Sequence, residues 1–163
     1  MFLDQGSQKV AIIDIDFHHG NGTQDIFYER GDVLSASLHG QPEDSYPYYS
    51  GYVDETGVGD GAGCNFNFPM PPGTRYETWA QALNEAIFHI QKFSAEALIV
   101  SLGVDTYKED PISFFCLETA DYLQCGKQLS QLNLPTVFIL EGGYALEMVG
   151  QNVANVLIGF EDG

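Results

Sequence analysis

The chain has 163 residues, with 23 acidic and 6 basic side chains and a formal net charge of −17. This length is typical of one domain, and a hydrophobic fraction of 44% is enough to build a core, so the composition excludes a disordered chain. The charge disfavours nucleic acid binding, since phosphates need Lys and Arg, but it would attract cationic substrates.

Two further classes are disfavoured by the sequence. No apolar run reaches the ~18–20 residues of a membrane span, and residues 1–9 lack the features of a signal peptide, so we expect a cytoplasmic protein.

The cysteines Cys64, Cys116 and Cys125 are odd in number and form no CxxC pair. They predict neither a disulfide framework nor a thiolate zinc site, and we expect each to be a small buried side chain.

Strands and helices alternate in the predicted order of elements. We predict strands over residues 10–14, 33–38, 97–102 and 136–140, and helices over 23–29, 75–93, 119–132 and 152–160. The strand at 10–14 reads VAIID, a continuous apolar run typical of a parallel strand covered on both faces. The alternation predicts an α/β fold, a parallel sheet with flanking helices.

Two other segments are informative. The helix at 75–93 has one apolar face, formed at three- and four-residue spacing by Trp79, Leu83, Ala86, Ile87 and Ile90. His89 lies on this helix, and we expect it to be a surface or boundary side chain. Residues 39–63 predict a long loop, and loops of that length inside a domain are usually functional.

Polar side chains follow three of the predicted strands. Ligands bind beyond the carboxyl ends of the strands in open α/β sheets, so these side chains should meet at one edge. If only one of these side chains were present, we would interpret it as a capping or turn residue. They are Asp14, Asp16, His18 and His19 after the first strand, Asp105 after the third, and Glu141, Gly142, Gly143 and Tyr144 after the fourth.

Asp16, His18 and Asp105 form a possible set of metal ligands. Asp16 and His18 are two residues apart, so in extended chain they point the same way. Three protein ligands leave room for water and substrate, as a catalytic zinc site requires. Asp14 lies one step deeper on the same face, where an unpaired charge is costly, so a second cation or a basic partner should accompany it.

The chain resembles the histone deacetylase superfamily. IDIDFHHGNGTQ is similar to the zinc-ligand motif of that superfamily, and SLGVDTYKEDPISFF and EGGY are similar to its two downstream motifs, in the same order. The stretch SLHGQPEDSYPYYSGYVDETGVGDG looks closest to the acetylpolyamine amidohydrolases. The resemblance extends from Val10 onwards and implies an arginase- or deacetylase-like fold.

The resemblance implies a role for individual residues. Asp16, His18 and Asp105 match zinc ligands, and Tyr144 matches the tyrosine that stabilises the oxyanion of the tetrahedral intermediate. A structural monovalent-cation site, for K⁺, is matched by Asp14, Ser37 and Leu38 together with Asp16 and His18. Tyr46 matches an aromatic wall of the acyl channel, and Gly142 and Gly143 are the other substrate-binding candidates. His19 matches no catalytic role, and we expect it either to support the metal ligands from outside or to be a packing residue.

One motif of the superfamily has no counterpart here. An adjacent histidine pair that activates the zinc-bound water lies upstream of the zinc motif. We therefore expect residues 1–163 to be a single partial domain, the C-terminal half, truncated at its N-terminal side. Without a base, losses of about 10²–10⁴-fold are usual, so the chain alone should be impaired.

The function that follows is a zinc-dependent amidohydrolase that removes acetyl groups from polyamines or lysine. The alternative is a non-catalytic remnant that binds zinc and oligomerises. An arginase-like binuclear hydrolase would need further carboxylate ligands, which the sequence does not offer. Because a parallel sheet cut between strands exposes an edge, we expect a homo-oligomer or a complementing upstream half as partner.

Overall fold

The computed structural model describes residues 2–3 and 6–163. These residues form five strands and four helices, which alternate except that β3 follows β2 directly. In chain order these are β1 (Val10–Asp14), α1 (Asn21–Phe27), β2 (Val33–Gly40), β3 (Asn65–Met70), α2 (Tyr76–Phe93), β4 (Ala97–Leu102), α3 (Thr119–Ser130), β5 (Thr136–Leu140) and α4 (Leu146–Asp162), with a short 3₁₀ turn at Gly59–Gly61.

All strand pairs are parallel, in the order β3-β2-β1-β4-β5. The predicted α/β class is therefore confirmed. Asp14 pairs with Ser37 of β2 on one side and with Ser101 of β4 on the other. Side chains paired in this way point to the same face of the sheet, and this face carries Asp14 at the carboxyl end of β1.

The opposite face carries the hydrophobic core. Ala11, Ile13, Leu34, Leu98 and Val100 are buried there with apolar side chains of α2, α3 and α4. The apolar face predicted for α2 is confirmed, because its five predicted positions are its buried ones.

Helices α3 and α4 approach each other through glycine. A Cβ atom at Gly126 would lie 2.0 Å from the carbonyl oxygen of Val156, and one at Gly159 would lie 2.1 Å from that of Leu123. Any side chain at these positions would push the two helices apart.

Strand β5 forms an open edge of the sheet. Ile139 is 46% exposed and Leu140 is 59% exposed, whereas β1 at the centre is buried throughout. Leu146, at the start of α4 next to this edge, is 86% exposed. The polypeptide therefore presents apolar side chains beside unpaired backbone groups.

Several predicted boundaries were wrong. Helix α1 begins and ends two residues earlier than predicted, α3 ends at Ser130, α4 begins at Leu146, and β2 continues to Gly40. Strand β3 was missed altogether. Of the three cysteines only Cys125 is buried, and Cys64 and Cys116 are half-buried. His89 is a boundary residue as expected, stacked on Phe66 with ring centroids 3.9 Å apart.

No helix in the described part of the chain is both long and apolar enough to span a membrane.

Candidate metal centre

The segments after β1, β4 and β5 meet at one edge of the sheet. They border a cavity of about 650 Å³. The predicted site residues that line it are Asp14, Asp16, His18, His19, Tyr46, Glu141, Gly142 and Tyr144. Asp105 lies just beneath, fully buried, and Gly143 is not among the lining residues.

Asp16, His18 and Asp105 converge on one point. Their potential ligand atoms all lie within 4.8 Å of one another. His18 Nδ1 is 3.4 Å from Asp16 Oδ1 and 3.4 Å from Asp105 Oδ2. Two carboxylates and an imidazole at this spacing form the set of three protein ligands that a catalytic zinc site uses.

The backbone orients both carboxylates. Asp105 Oδ1 accepts a hydrogen bond from the amide of Phe17 at 2.8 Å, while its buried Oδ2 accepts no hydrogen bond from the described residues and lies 3.4 Å from His18 Nδ1. Asp16 accepts from the amides of His18 and Gly142, each at 2.8 Å. A buried carboxylate oxygen without a donor is costly, and a cation at this point would satisfy it.

The charges in the cluster perturb one another. The nearby carboxylates of Asp105 and then Asp16 raise the pKa of His18 to about 9. Burial raises the pKa of Asp105 to about 6. For Asp16, burial opposes ionisation, but hydrogen bonds from His18 outweigh it and lower the pKa. The cluster therefore holds a proton when no metal is bound, and a metal would displace it.

Tyr144 borders the cavity with a half-exposed ring. Its position is set by its backbone amide, which donates to Asp110 Oδ2 at 2.7 Å. Burial and then the negative charge of Asp16 and Asp105 raise the pKa of its phenol. The hydroxyl is thus protonated at neutral pH and can donate a hydrogen bond.

The backbone at Gly142 lies against both carboxylates. A Cβ atom here would lie 2.4 Å from Asp16 Oδ2 and 2.6 Å from Asp105 Oδ2. A side chain at this position would therefore displace the carboxylates. Only glycine lets the segment after β5 donate its amide to Asp16 at this distance.

Asp14 lies behind Asp16 and is almost fully buried. It accepts the amide of Asp16 at 3.0 Å, and no basic side chain among residues 2–3 and 6–163 pairs with it. Burial, then the charge of Asp16, raises its pKa well above the ordinary value. Of the other residues predicted for a monovalent-cation site, Ser37 is its buried neighbour on β2, and Leu38 follows in the core.

Tyr46 lies at the mouth of the cavity. Its ring is 58% exposed, and its centroid is 6.5 Å from that of His18. We call residues 41–58 the rim loop, because this segment carries Tyr46 and the exposed Tyr48 and Tyr49.

A buried polar network under the rim loop was not predicted. Gln24 of α1 donates to Glu55 Oε2 at 2.8 Å, and its own oxygen is contacted by Asn65 and Asn67 of β3. His19 joins the network, since its Nε2 lies 3.2 Å from Gln24 Oε1, which fits the packing role expected for it. The sequence signal was weak: two asparagines two apart in an apolar segment, which β3 places on one face.

Comparison with known proteins identifies the family. Residues 2–160 match the histone deacetylase domain. The chain belongs to the histone deacetylase family. Members of this family are zinc-dependent in general.

The relatives of this family member include acetylpolyamine amidohydrolases. It is 59% identical over 160 residues to acetylpolyamine amidohydrolase 2 of Pseudomonas aeruginosa, and 54% identical over 157 residues to the acetylpolyamine amidohydrolase of Mycoplana ramosa. These alignments cover 98% and 96% of this chain, but 46% of each relative.

Solved structures agree with the fold. The acetylpolyamine aminohydrolase of Burkholderia pseudomallei superposes with a TM-score of 0.94 at 40% identity, over 98% of this chain and 46% of that one. A histone deacetylase homologue from Aquifex aeolicus gives 0.89 at 30% identity, over 98% and 43%. The chain thus spans about half the length of its relatives. The predicted placement in their C-terminal half is not confirmed by these matches.

Proposed function

We propose that this chain is the zinc-binding part of an amidohydrolase of the cytoplasm that removes acetyl groups from polyamines. The observation that carries the proposal is the convergence of Asp16, His18 and Asp105 within 4.8 Å at a cavity that Tyr144 also borders. The names of the relatives favour polyamines over lysine, which is the second substrate class.

The ligand set suits the metal. Asp16, His18 and Asp105 would hold the zinc ion, and the open cavity side would leave a position for water and substrate. A bound zinc would polarise the amide carbonyl and lower the pKa of its water. The buried Oδ2 of Asp105, which accepts no hydrogen bond from the described residues, supports a cation at this point.

The other residues would bind and orient the substrate. The neutral phenol of Tyr144 would donate a hydrogen bond to the carbonyl oxygen, which gains negative charge as the tetrahedral intermediate forms. Tyr46 would pack against the acetylated end of the substrate. Gly142, which has no side chain, would let the substrate approach the metal ligands closely. Cleavage of the C–N bond then releases acetate and the amine.

Hydrolysis also needs a base that accepts the proton of the attacking water. Within the described residues, the imidazoles that border the cavity are His18 and His19. His18 is needed on the metal, and His19 is held by Gln24. We therefore expect the chain alone to turn over slowly, with a deficit of about 10²–10⁴-fold.

A second function is a non-catalytic module that keeps the metal centre. The described residues place no free base at the cavity, which favours such a module. The position of Tyr144 at the cavity opposes it, because a non-catalytic module would not use the phenol. Turnover restored by a polypeptide that supplies a histidine pair would decide for the amidohydrolase. Zinc binding without any restored turnover would decide for the module.

The exposed edge at β5 is the proposed contact for a partner. Ile139, Leu140 and Leu146 are exposed there, and the B. pseudomallei structure has 54% of its chain outside the matched part (100% minus 46%). A polypeptide that adds a parallel strand to β5 would cover these side chains. Light scattering should show either association with such a polypeptide or homodimers, and a stable monomer with no affinity for one would contradict the proposal.

Metal analysis tests the centre directly. The purified chain should bind about one zinc ion per protomer, as expected of a three-ligand site. Asp105→Ala should lose most of this zinc without unfolding, while Asp25→Ala removes the same charge from the exposed surface of α1 and should keep it. Equal zinc in both variants would refute the ligand assignment.

A further inference from the structure

His39 connects strand β2 to the rim loop through its side chain. It lies near the end of β2, fully buried, between Ser37 on the same strand and Gly51 in the rim loop. Its Nδ1 is 2.8 Å from Ser37 Oγ, and its Nε2 is 2.9 Å from the carbonyl oxygen of Gly51. Both ring nitrogens are therefore used.

These contacts determine where the protons lie. A carbonyl oxygen can only accept, so His39 Nε2 must carry the proton that is shared with Gly51. A neutral ring then has a bare Nδ1, and Ser37 must donate its hydroxyl proton to it. No carboxylate contacts His39 in the described structure, so the buried ring has no reason to be charged.

The consequence for Ser37 is that its oxygen can act only as an acceptor toward other neighbours, because its one proton is used by His39. Its proton points to His39, so its lone pairs remain available on the side of Asp14, its partner in the strand register. Asp14 is a buried carboxylate, and no basic side chain of the described residues pairs with it. Two acceptors side by side with no donor between them favour a cation.

The consequence for the rim loop is a fixed anchor at Gly51. The carbonyl of Gly51 is held by His39, and its amide donates to Glu55 Oε2 at 2.8 Å. With φ at +105°, Gly51 adopts a left-handed conformation. A Cβ atom here would lie 2.6 Å from His39 Nε2. The anchor therefore depends on glycine at this position and on the imidazole beneath it.

We propose that His39 is a positioning residue that couples the cation site at Asp14 and Ser37 to the rim loop. Its acceptor nitrogen orients Ser37 toward the cation, and its donor nitrogen fixes the loop that carries Tyr46. The proposal rests on the monovalent-cation site described above. The ligand class is a monovalent metal ion, for which K⁺ is the probe.

Two substitutions separate the two contacts. Asn in place of His39 offers an oxygen near the position of Nδ1 and should keep the contact with Ser37, while it loses the donor to Gly51. Gln reaches further and offers an amide donor near the position of Nε2, so it should keep the contact with Gly51 and lose the other. Ser35→Ala is the matched control, since Ser35 is also buried on β2, two residues before Ser37.

Two measurements on the full chain report the two contacts. The first is the thermal midpoint as KCl replaces choline chloride at constant ionic strength, which gives the half-saturating K⁺ concentration. That concentration should rise by about 10–100-fold in His39→Gln, the usual effect of an outer partner of a metal ligand. It should stay within about threefold of the wild type in His39→Asn and Ser35→Ala.

The second measurement is hydrogen exchange of peptides within residues 41–58. Exchange should accelerate about tenfold in His39→Asn, the effect of one lost buried hydrogen bond, and should be unchanged in His39→Gln. If neither variant folds, Ser37→Ala carries the test, and it should lose the K⁺ response while the rim loop stays protected.

Several results would overturn the coupling. Equal K⁺ response and equal loop exchange in all His39 variants would do so, as would a K⁺ response unchanged by Ser37→Ala. A wild-type chain that binds zinc but does not respond to K⁺ would refute the cation site and with it this proposal, while leaving the zinc centre intact.

Discussion

Replacing Gly142 with alanine should weaken zinc binding through a direct steric contact. The added Cβ would lie 2.4 Å from Asp16 Oδ2 and 2.6 Å from Asp105 Oδ2, whereas ordinary contact begins at 3.4 Å. The nearer carboxylate oxygen must therefore move by about 1 Å (3.4 minus 2.4), and metal–ligand distances tolerate only about 0.2 Å. We expect the zinc affinity to fall by about 10–100-fold, the range for disturbed support of metal ligands, or about 1.4–2.8 kcal/mol.

The matched control is Gly22→Ala, because Gly22 borders the same cavity but has nothing within 4 Å of its Cβ position. Gly22 lies within helix α1, where alanine should raise the free energy of unfolding by about 0.5–1 kcal/mol. Zinc affinity is measured by competition with a chelator, and folding by thermal unfolding of the metal-free chains. A folded Gly142→Ala variant with the affinity of the control would refute the close approach of β5 to the two carboxylates.

Three other outcomes are expected. Leu83→Ala removes a fully buried side chain of α2 and should lower the free energy of unfolding, measured by urea denaturation, by about 2–5 kcal/mol. An unchanged urea midpoint would contradict the placement of Leu83 in the core. Glu55 has a pKa below its ordinary 4.5, because hydrogen bonds from Gln24 and Gly51 outweigh the opposing effect of burial. The stability that ionised Glu55 contributes is therefore present above its ordinary pKa and is lost as the pH falls through its pKa in the folded chain. The Glu55→Gln variant should lose less thermal stability in acid than the wild type. An equal loss in both proteins would contradict this. Finally, the net charge of −17 should attract cationic acetylpolyamines. Their affinity for the chain should therefore decrease as the salt concentration is raised from about 0.01 to 0.15 M, because the screening length shortens from about 30 to 8 Å. A neutral acetyl amide is the control, and equal salt dependence for both ligands would rule out steering by the charge.

The sequence predicted the parts of the fold in which the apolar pattern is simple. The run at Val10–Asp14 and the helical spacing from Trp79 to Ile90 each match one regular element. Strand β3 was missed because its segment NFNFPM places asparagines on the face under the rim loop, so it lacks the apolar run of a buried strand. Its asparagines are buried only because Gln24 and Glu55 satisfy them, and such long-range pairing leaves no local signal.

The residues of the candidate site that come directly after strands could be predicted from the sequence. Asp16, His18 and Asp105 come after β1 and β4, and parallel strands place their carboxyl ends at one edge. The role of His39 was not predictable, because it depends on Gly51, a residue 12 positions away in an irregular loop. Gly143 was grouped with Gly142 from the shared motif, yet only Gly142 lines the cavity.

The two roles proposed for strand β5 and the residues after it cannot be independent. Its last residue, Leu140, is exposed at the open edge, and two residues later Gly142 donates to Asp16. A strand that pairs with β5 would restrain the same segment that zinc requires to be ordered. Thermodynamic reciprocity then applies: if a partner strengthens zinc binding tenfold, zinc must strengthen the partner's binding tenfold. The concentration of free zinc would in this way act as a signal for assembly, and apparent oligomeric states measured with and without a chelator should differ.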